Sequence, residues 1–224
     1  MLSFAEEIYL LALDDATGTV ALEDGIERLH HALVGAALAE LSFMGSIDFD
    51  EEGLIVVNSD PVGNPVLDEI MEMIKRQDTK MTLHYWLETL FVEAGRIENM
   101  VLNHLVLRGI LKVVEDKILW VFPSRRYPVI DDREIKDVER RIIELISSDE
   151  IPGPREATLI SLASACGLLH EVMSSRQLSR YRERIAVLTK LDSVGRGTLE
   201  VINEFRGSFG FHGPATVIDA STEV

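Results

Sequence analysis

The chain has 224 residues, 46% of them hydrophobic, with 22 basic against 38 acidic side chains and a formal net charge of −16. That length can bury a substantial core and that apolar share excludes a disordered chain, while the charge excludes phosphate-rich partners unless basic residues gather into a local patch. The longest apolar run, 32–43, contains Glu40 and is too short to span a bilayer; the N-terminus lacks a basic signal region, and the single Cys166 has no internal disulfide partner, so a cytoplasmic protein is expected.

Ser3 and Glu6 have capping-box spacing and predict a helix with Ile8, Leu11 and Ala12 on one face, broken at Thr17-Gly18. A second helix is predicted from Ile26 to Met44, on the spacing of Leu29, Leu33, Ala37 and Leu41, with Gly45 at its C′ position. Ile47–Phe49 and Leu54–Val57 flank Asp50-Glu51-Glu52-Gly53 as a hairpin. The dense turn Asp60–Pro65 precedes a helix from Val66 to Lys75. Another helix holds Leu83–Leu87, and a break at Gly95 leads into one from Arg96 to Arg108, ended by Gly109. Ile110–Val114 and Ile118–Phe122, joined by Glu115-Asp116-Lys117, read as a second hairpin.

Asp131 or Asp132 is then expected to cap a helix with Ile135, Val138, Ile142 and Leu145 inward, and Pro152-Gly153-Pro154 is the clearest interior break. Ala157–Ala165 is apolar on most sides, as in a central buried helix. Leu178, Tyr181, Ile185 and Leu188 mark one more amphipathic helix, and Leu199–Phe205 a short last one. The fold class is mainly α: a single globular helical domain over residues 1–206, with amphipathic helices around the central one and one or two small β-hairpins. Residues 207–224, rich in Gly, Ser and Thr, read as a flexible tail.

No constellation of catalytic residues emerges, and the chain reads as a binder without cofactors rather than an enzyme. No glycine-rich stretch has a dinucleotide or phosphate-loop fingerprint, and no serine sits in a nucleophile elbow. His84 and Glu88 share a helix face but lack further metal ligands; His30-His31 diverge on their helix; His104 reads as a hydrogen-bonded core histidine and Cys166 as a small buried hydrophobe. Arg176, Arg180 and Arg184, at i, i+4 and i+8, gather positive charge into one stripe that could hold a phosphate or an acidic partner, against the plainer reading of a solvated face. The helix Arg96–Arg108 followed by a hairpin has the outline of a recognition helix and wing. Its exposed Glu98, Asn99 and Asn103 argue against DNA, and no nucleic-acid partner is expected.

An ordered series of segments resembles the Golgi phosphoprotein 3 family: Glu6–Asp15 with Thr17-Gly18, Gly35–Leu41 up to Gly45, Asp60–Glu69, Trp86 in its Leu-rich helix, Leu105–Leu111, Phe122-Pro123 to Arg126–Val129, and Arg155–Leu169. Together they cover residues 3–190. The family has bacterial as well as eukaryotic members. The resemblance implies a non-enzymatic peripheral adaptor on the cytosolic face of a membrane, binding phosphatidylinositol 4-phosphate or another anionic phospholipid and recruiting protein cargo. It also implies a projecting hairpin, here about 110–127 with Trp120, Phe122, Arg125 and Arg126, used for membrane insertion or homo-oligomerisation.

The headgroup residues that the resemblance implies do not carry over. The family's tryptophan falls near Gly25, a basic residue on Val34, and two arginines on Gly95 and Glu98. Arg28 and Arg96 lie within a turn of these positions as substitutes, or in structural salt bridges. The alternative is a cytosolic protein-interaction module that has lost lipid binding, which the charge of −16 favours.

Overall fold

The structure, a computed structural model, describes residues 1–14, 17–20, 26–50, 52–118, 122–192 and 194–198, and for 115–118 and 122–125 the backbone only. The expected last helix Leu199–Phe205 and the tail 207–224 lie outside the described residues.

Helix α1 (Phe4–Ala12) opens on the expected capping box: Ser3 Oγ accepts the Glu6 N–H at 3.3 Å, and Glu6 Oε2 accepts the Ser3 N–H at 2.7 Å. All nine of its residues are buried, the acids included. Helix α2 (Ile26–Phe43) is buried without a break from His31 to Ala39 and stops at Gly45, whose φ of +73° is the left-handed conformation a C′ position demands. Helix α7 (Pro154–Ala165) is also buried on most sides. The central position expected of 157–165 is thus shared by three helices, α1 packing against both α2 and α7.

Strands β1 (Ile47–Asp50) and β2 (Gly53–Val56) pair from Ile47↔Val56 to Asp50↔Gly53. Helix α3 (Pro65–Lys75) begins on Asn64, whose Oδ1 accepts the Val66 and Leu67 N–H groups at 3.1 and 3.2 Å. Helices α4 (Leu83–Thr89) and α5 (Ala94–Leu107) are separated by a 3₁₀ turn at Leu90–Glu93, not by the expected break at Gly95. Gly95 is helical, within the tolerant first turn; the tighter turn keeps both Leu90 and Ala94, each 0% exposed, against the core.

The second hairpin pairs β3 (Val114–Ile118) with β4 (Phe122–Arg126), four residues later than the spacing predicted. Ile110 and Leu111, 3% and 1% exposed, are spent on the core and on a bridge to Val129, so the expected turn residues Glu115–Lys117 become strand. The hairpin is tied back to the N-terminal segment where Tyr127 N–H donates to Gly18 O at 2.9 Å. Gly18 (φ +69°) touches this backbone so closely that a Cβ there would stand 2.4 Å from Pro128 N.

Helix α6 (Arg133–Ser147) buries Ile135, Val138, Ile142 and Ile146; Ile146 takes the inward place expected of Leu145 because the face drifts by four residues, not three, at that point. Asp132 holds its N-cap position without a side-chain cap bond, and Asp131 Oδ1 accepts the Arg133 N–H at 3.2 Å. After α7 come α8 (Leu169–Val172), α9 (Ser175–Arg180) and α10 (Arg182–Leu188). The single helix expected through Tyr181 is therefore two. Tyr181 (φ −101°, ψ 14°) re-aims α10 so that Leu178, Ile185 and Leu188 all reach the core.

Candidate functional site

Among the described residues, no group of three or more His, Cys, Asp or Glu side chains could hold a metal, and no helix is long and apolar enough to cross a membrane. His84 Nε2 meets Glu88 Oε2 at 3.7 Å, as its i, i+4 spacing requires. Cys166 is fully buried, and burial pushes its thiol up to about 12, so it packs as a hydrophobe.

Around the headgroup positions implied by the resemblance, Gly25 lies outside the described residues and Val34 is 0% exposed within α2. At Gly95 an added Cβ would meet open space. The Glu98 carboxylate meets His30 Nε2 at 3.1 Å, and it also holds the Tyr9 phenol well above its usual range, behind burial as the larger cause. The rings of His30 and His31 lie 6.0 and 4.4 Å from that of Phe91. A carboxylate with two polar neighbours thus stands at the position where the resemblance implies an arginine.

The neighbouring arginines have partners of their own. Arg28 Nη1 donates to the Cys166 carbonyl at 3.4 Å and lies against Gly167, where a Cβ would come within 2.8 Å of it. Arg96 bridges Glu69 and Glu93, the latter at 2.9 Å. The break at Tyr181 also divides the arginine stripe. Arg176 is exposed on α9, Arg180 lies 5.3 Å from the Tyr181 ring centroid, and Arg184 donates to the carbonyl oxygens of Leu145 and Glu150. Of the hairpin residues, Phe122 and Arg125 are strand residues opposite Ile118 and Glu115. Arg126 is half-buried opposite Val114, and Trp120 lies outside the described residues.

A groove of about 820 Å³ runs between the chain start, the end of α2, the start of α3 and one face of α5. Its walls include Phe43 and Leu107, large apolar side chains left 54% and 83% exposed, together with Asn99, Asn103 and His104. His104 is not the core residue its apolar neighbours predicted: its side chain is 57% exposed, and Nδ1 meets Glu6 Oε1 at 2.5 Å from the rim.

Beneath the groove lies an ionic network that residue spacing does not announce. Glu7, 1% exposed, accepts from Arg141 at 2.5 Å and from Arg155 at 3.0 Å. Arg155 also donates to the Leu2 carbonyl at 2.6 Å, and its guanidinium sits 4.3 Å from the Phe4 ring centroid; Phe4 packs edge-on against Phe43 at 5.9 Å. The Phe4 N–H donates to Glu40 Oε2 at 2.8 Å, and burial holds that carboxyl above its ordinary value. The one available signal was a pair of acids, Glu6-Glu7, inside an otherwise apolar helix. Such acids require buried partners, but their spacing names none. In comparison with known families, residues 4–205 match the family model Golgi phosphoprotein 3 (GPP34).

Proposed function

The chain belongs to the Golgi phosphoprotein 3 family over residues 4–205, and from that premise we propose that it is a non-enzymatic adaptor that engages a protein partner without reading a phosphorylated lipid headgroup. One observation carries this reading: Glu98, hydrogen-bonded to His30, stands where a phosphate-binding arginine is implied. A carboxylate there repels a phosphomonoester, and Arg96, the nearest substitute, is committed to Glu69 and Glu93. The net charge of −16 acts in the same direction at longer range. Phe43 and Leu107 on the groove supply apolar area of the kind a protein partner covers.

Vesicle co-sedimentation tests the lipid half. The expected result is equal sedimentation with phosphatidylcholine vesicles whether or not they contain phosphatidylinositol 4-phosphate; a gain specific to that lipid overturns the reading. For the protein half, partners captured by the unaltered chain are compared with those captured by Leu107→Glu. Loss of a defined partner supports the groove, and an unchanged set of partners removes it.

A second reading, peripheral membrane contact through the hairpin, is favoured by its register. Pairing runs out to Ile118↔Phe122; the three residues between these two in the sequence include Trp120, and tryptophan suits a membrane interface. Under this reading, binding to plain vesicles falls with Trp120→Ser and does not depend on phosphoinositide.

A further inference from the structure

The groove between the end of α2 and α5 leaves apolar area uncovered: Phe43, Leu107 and Met1 are 54%, 83% and 98% exposed. Single exposed apolar side chains are ordinary, but three along one concavity of about 820 Å³ call for an occupant. The α5 wall also offers hydrogen bonds. Asn99 Nδ2 donates to Gly95 O at 2.6 Å, and its Oδ1 accepts nothing among the described residues. Asn103, also exposed, has no hydrogen-bond partner among the described residues. The two amides stand one helical turn apart, a rise of about 6 Å. An extended chain presents its N–H and C=O groups to one edge at every second residue, about 6.7 Å apart. This wall therefore matches the edge of an extended segment.

The chain itself supplies one within reach. Thr198, the last described residue, packs on α2 at Gly35, where a Cβ would come within 2.4 Å of its Oγ1. Phe43 lies eight residues further along the same helix, about 12 Å away. The 11 residues from Thr198 to Phe209 extend to about 36 Å, so the groove is well within their span.

The composition of that segment suits the groove. Phe205, Phe209 and Phe211 are three of the chain's eight phenylalanines, an aromatic density that solvated segments lack. Phe209 and Phe211 flank Gly210, so an extended backbone puts both rings on one face, and the glycine admits close backbone approach. Residues 205–218 carry Arg206 and no carboxylate in a chain of net charge −16, so the acidic body attracts them. We infer that residues 208–212 lie extended in the groove of their own chain. Phe209 and Phe211 cover Phe43 and Leu107, and the backbone around Gly210 pairs with Asn99 and Asn103. This deepens the groove reading above and rests on it in one respect: a protein partner of the groove must displace the segment.

The test reads the groove in the full chain. A nitroxide is attached at Ala215→Cys, Cys166 being buried, and the side-chain amide signals of Asn99 and Asn103 are followed in ¹H–¹⁵N spectra. A tether of this kind presents the segment at an effective concentration on the order of 1 mM, so both signals should lose at least about half their intensity relative to a diamagnetic label. Intensity should return in Phe209→Ser/Phe211→Ser and in Leu107→Glu. Should the first variant fail to fold, Leu107→Glu, at an exposed position, gives the same reading. No loss of intensity, a loss that persists in both variants, or an equal loss between separate spin-labelled and ¹⁵N-labelled chains overturns the inference. Partner capture keeps it distinct from the adaptor reading. Phe209→Ser/Phe211→Ser should capture more than the unaltered chain of any partner that Leu107→Glu loses, and equal capture removes the displacement. If Leu107→Glu loses no partner while the signals still broaden, the adaptor reading falls and the docked segment stands.

Discussion

Arg155 and Glu7, 148 residues apart in the chain, are joined by a 3.0 Å hydrogen bond with both side chains at most 10% exposed. This bond fastens α1 to the start of α7, and Arg141 reaches the second oxygen of the same carboxylate from α6. Removing Glu7 leaves the Arg155 charge buried without its carboxylate, which costs about 3–5 kcal/mol. Glu7→Ala is expected to lose stability of that order in urea denaturation, and Arg155→Ala less, because Glu7 keeps its bond to Arg141. The double change Glu7→Leu/Arg155→Met should lose clearly less than the two singles added together, because no unpaired charge of this bond remains.

His31 sets a pH dependence. It is 5% exposed, Nδ1–H donates to Glu27 O at 2.9 Å, and burial holds the imidazole below its ordinary 6.5, overcoming the opposite effect of that carbonyl. Below pH 6.5 the unfolded chain takes up this proton more readily than the folded one. The His31 contribution is therefore complete above pH 6.5 and is lost as pH falls toward the lower folded value. The urea midpoint should fall between about pH 7.5 and about pH 5.5, and should fall less in His31→Gln.

Gly18 has no room for a side chain. Its φ of +69° and its contact with the Tyr127–Pro128 backbone predict that Gly18→Ala costs at least about 1 kcal/mol, read as a lowered thermal midpoint. The same change at Gly95, which is helical and faces open space, should be neutral or stabilising by up to about 1 kcal/mol.

The vacant headgroup positions invite reconstruction. Gly95→Arg combined with Glu98→Arg places two cations on one face of α5 and removes the partner of His30. Vesicle co-sedimentation should then become dependent on phosphatidylinositol 4-phosphate and sensitive to salt. If the double variant still ignores the lipid, the charge of Glu98 is not what disables this face.

Cys166, with its thiol pushed up to about 12 by burial, should resist a thiol reagent in the native protein and react once the chain is unfolded in urea. Rapid native labelling would show that the end of α7 opens.

Local signals of the chain were legible where one residue type does one job. The capping box at Ser3 and Glu6, Gly45 after α2, and the turn between β1 and β2 all stand where spacing placed them. Decisions made by distant packing were not legible. The sequence cannot say that Ile110 and Leu111 belong to the core and so delay the second hairpin, or that Tyr181 turns the chain and splits the arginine stripe. At the candidate site, the non-basic residues Val34, Gly95 and Glu98 at the positions the resemblance implies could be read one by one. The commitment of Arg96 to two glutamates and of Arg184 to two carbonyls depends on elements that only the folded chain brings together.

The complete burial of α1 also bears on how the protein is made. Its nine residues are synthesised before the helices they pack against, α2, α5, α6, α7 and α8, and Glu7 meets Arg155 only after 148 further residues have been added. During translation this helix must wait, with two acids and an apolar surface unmatched, until the late helices arrive to enclose it. The enclosure of α1 is therefore complete only when helices far along the chain have been made.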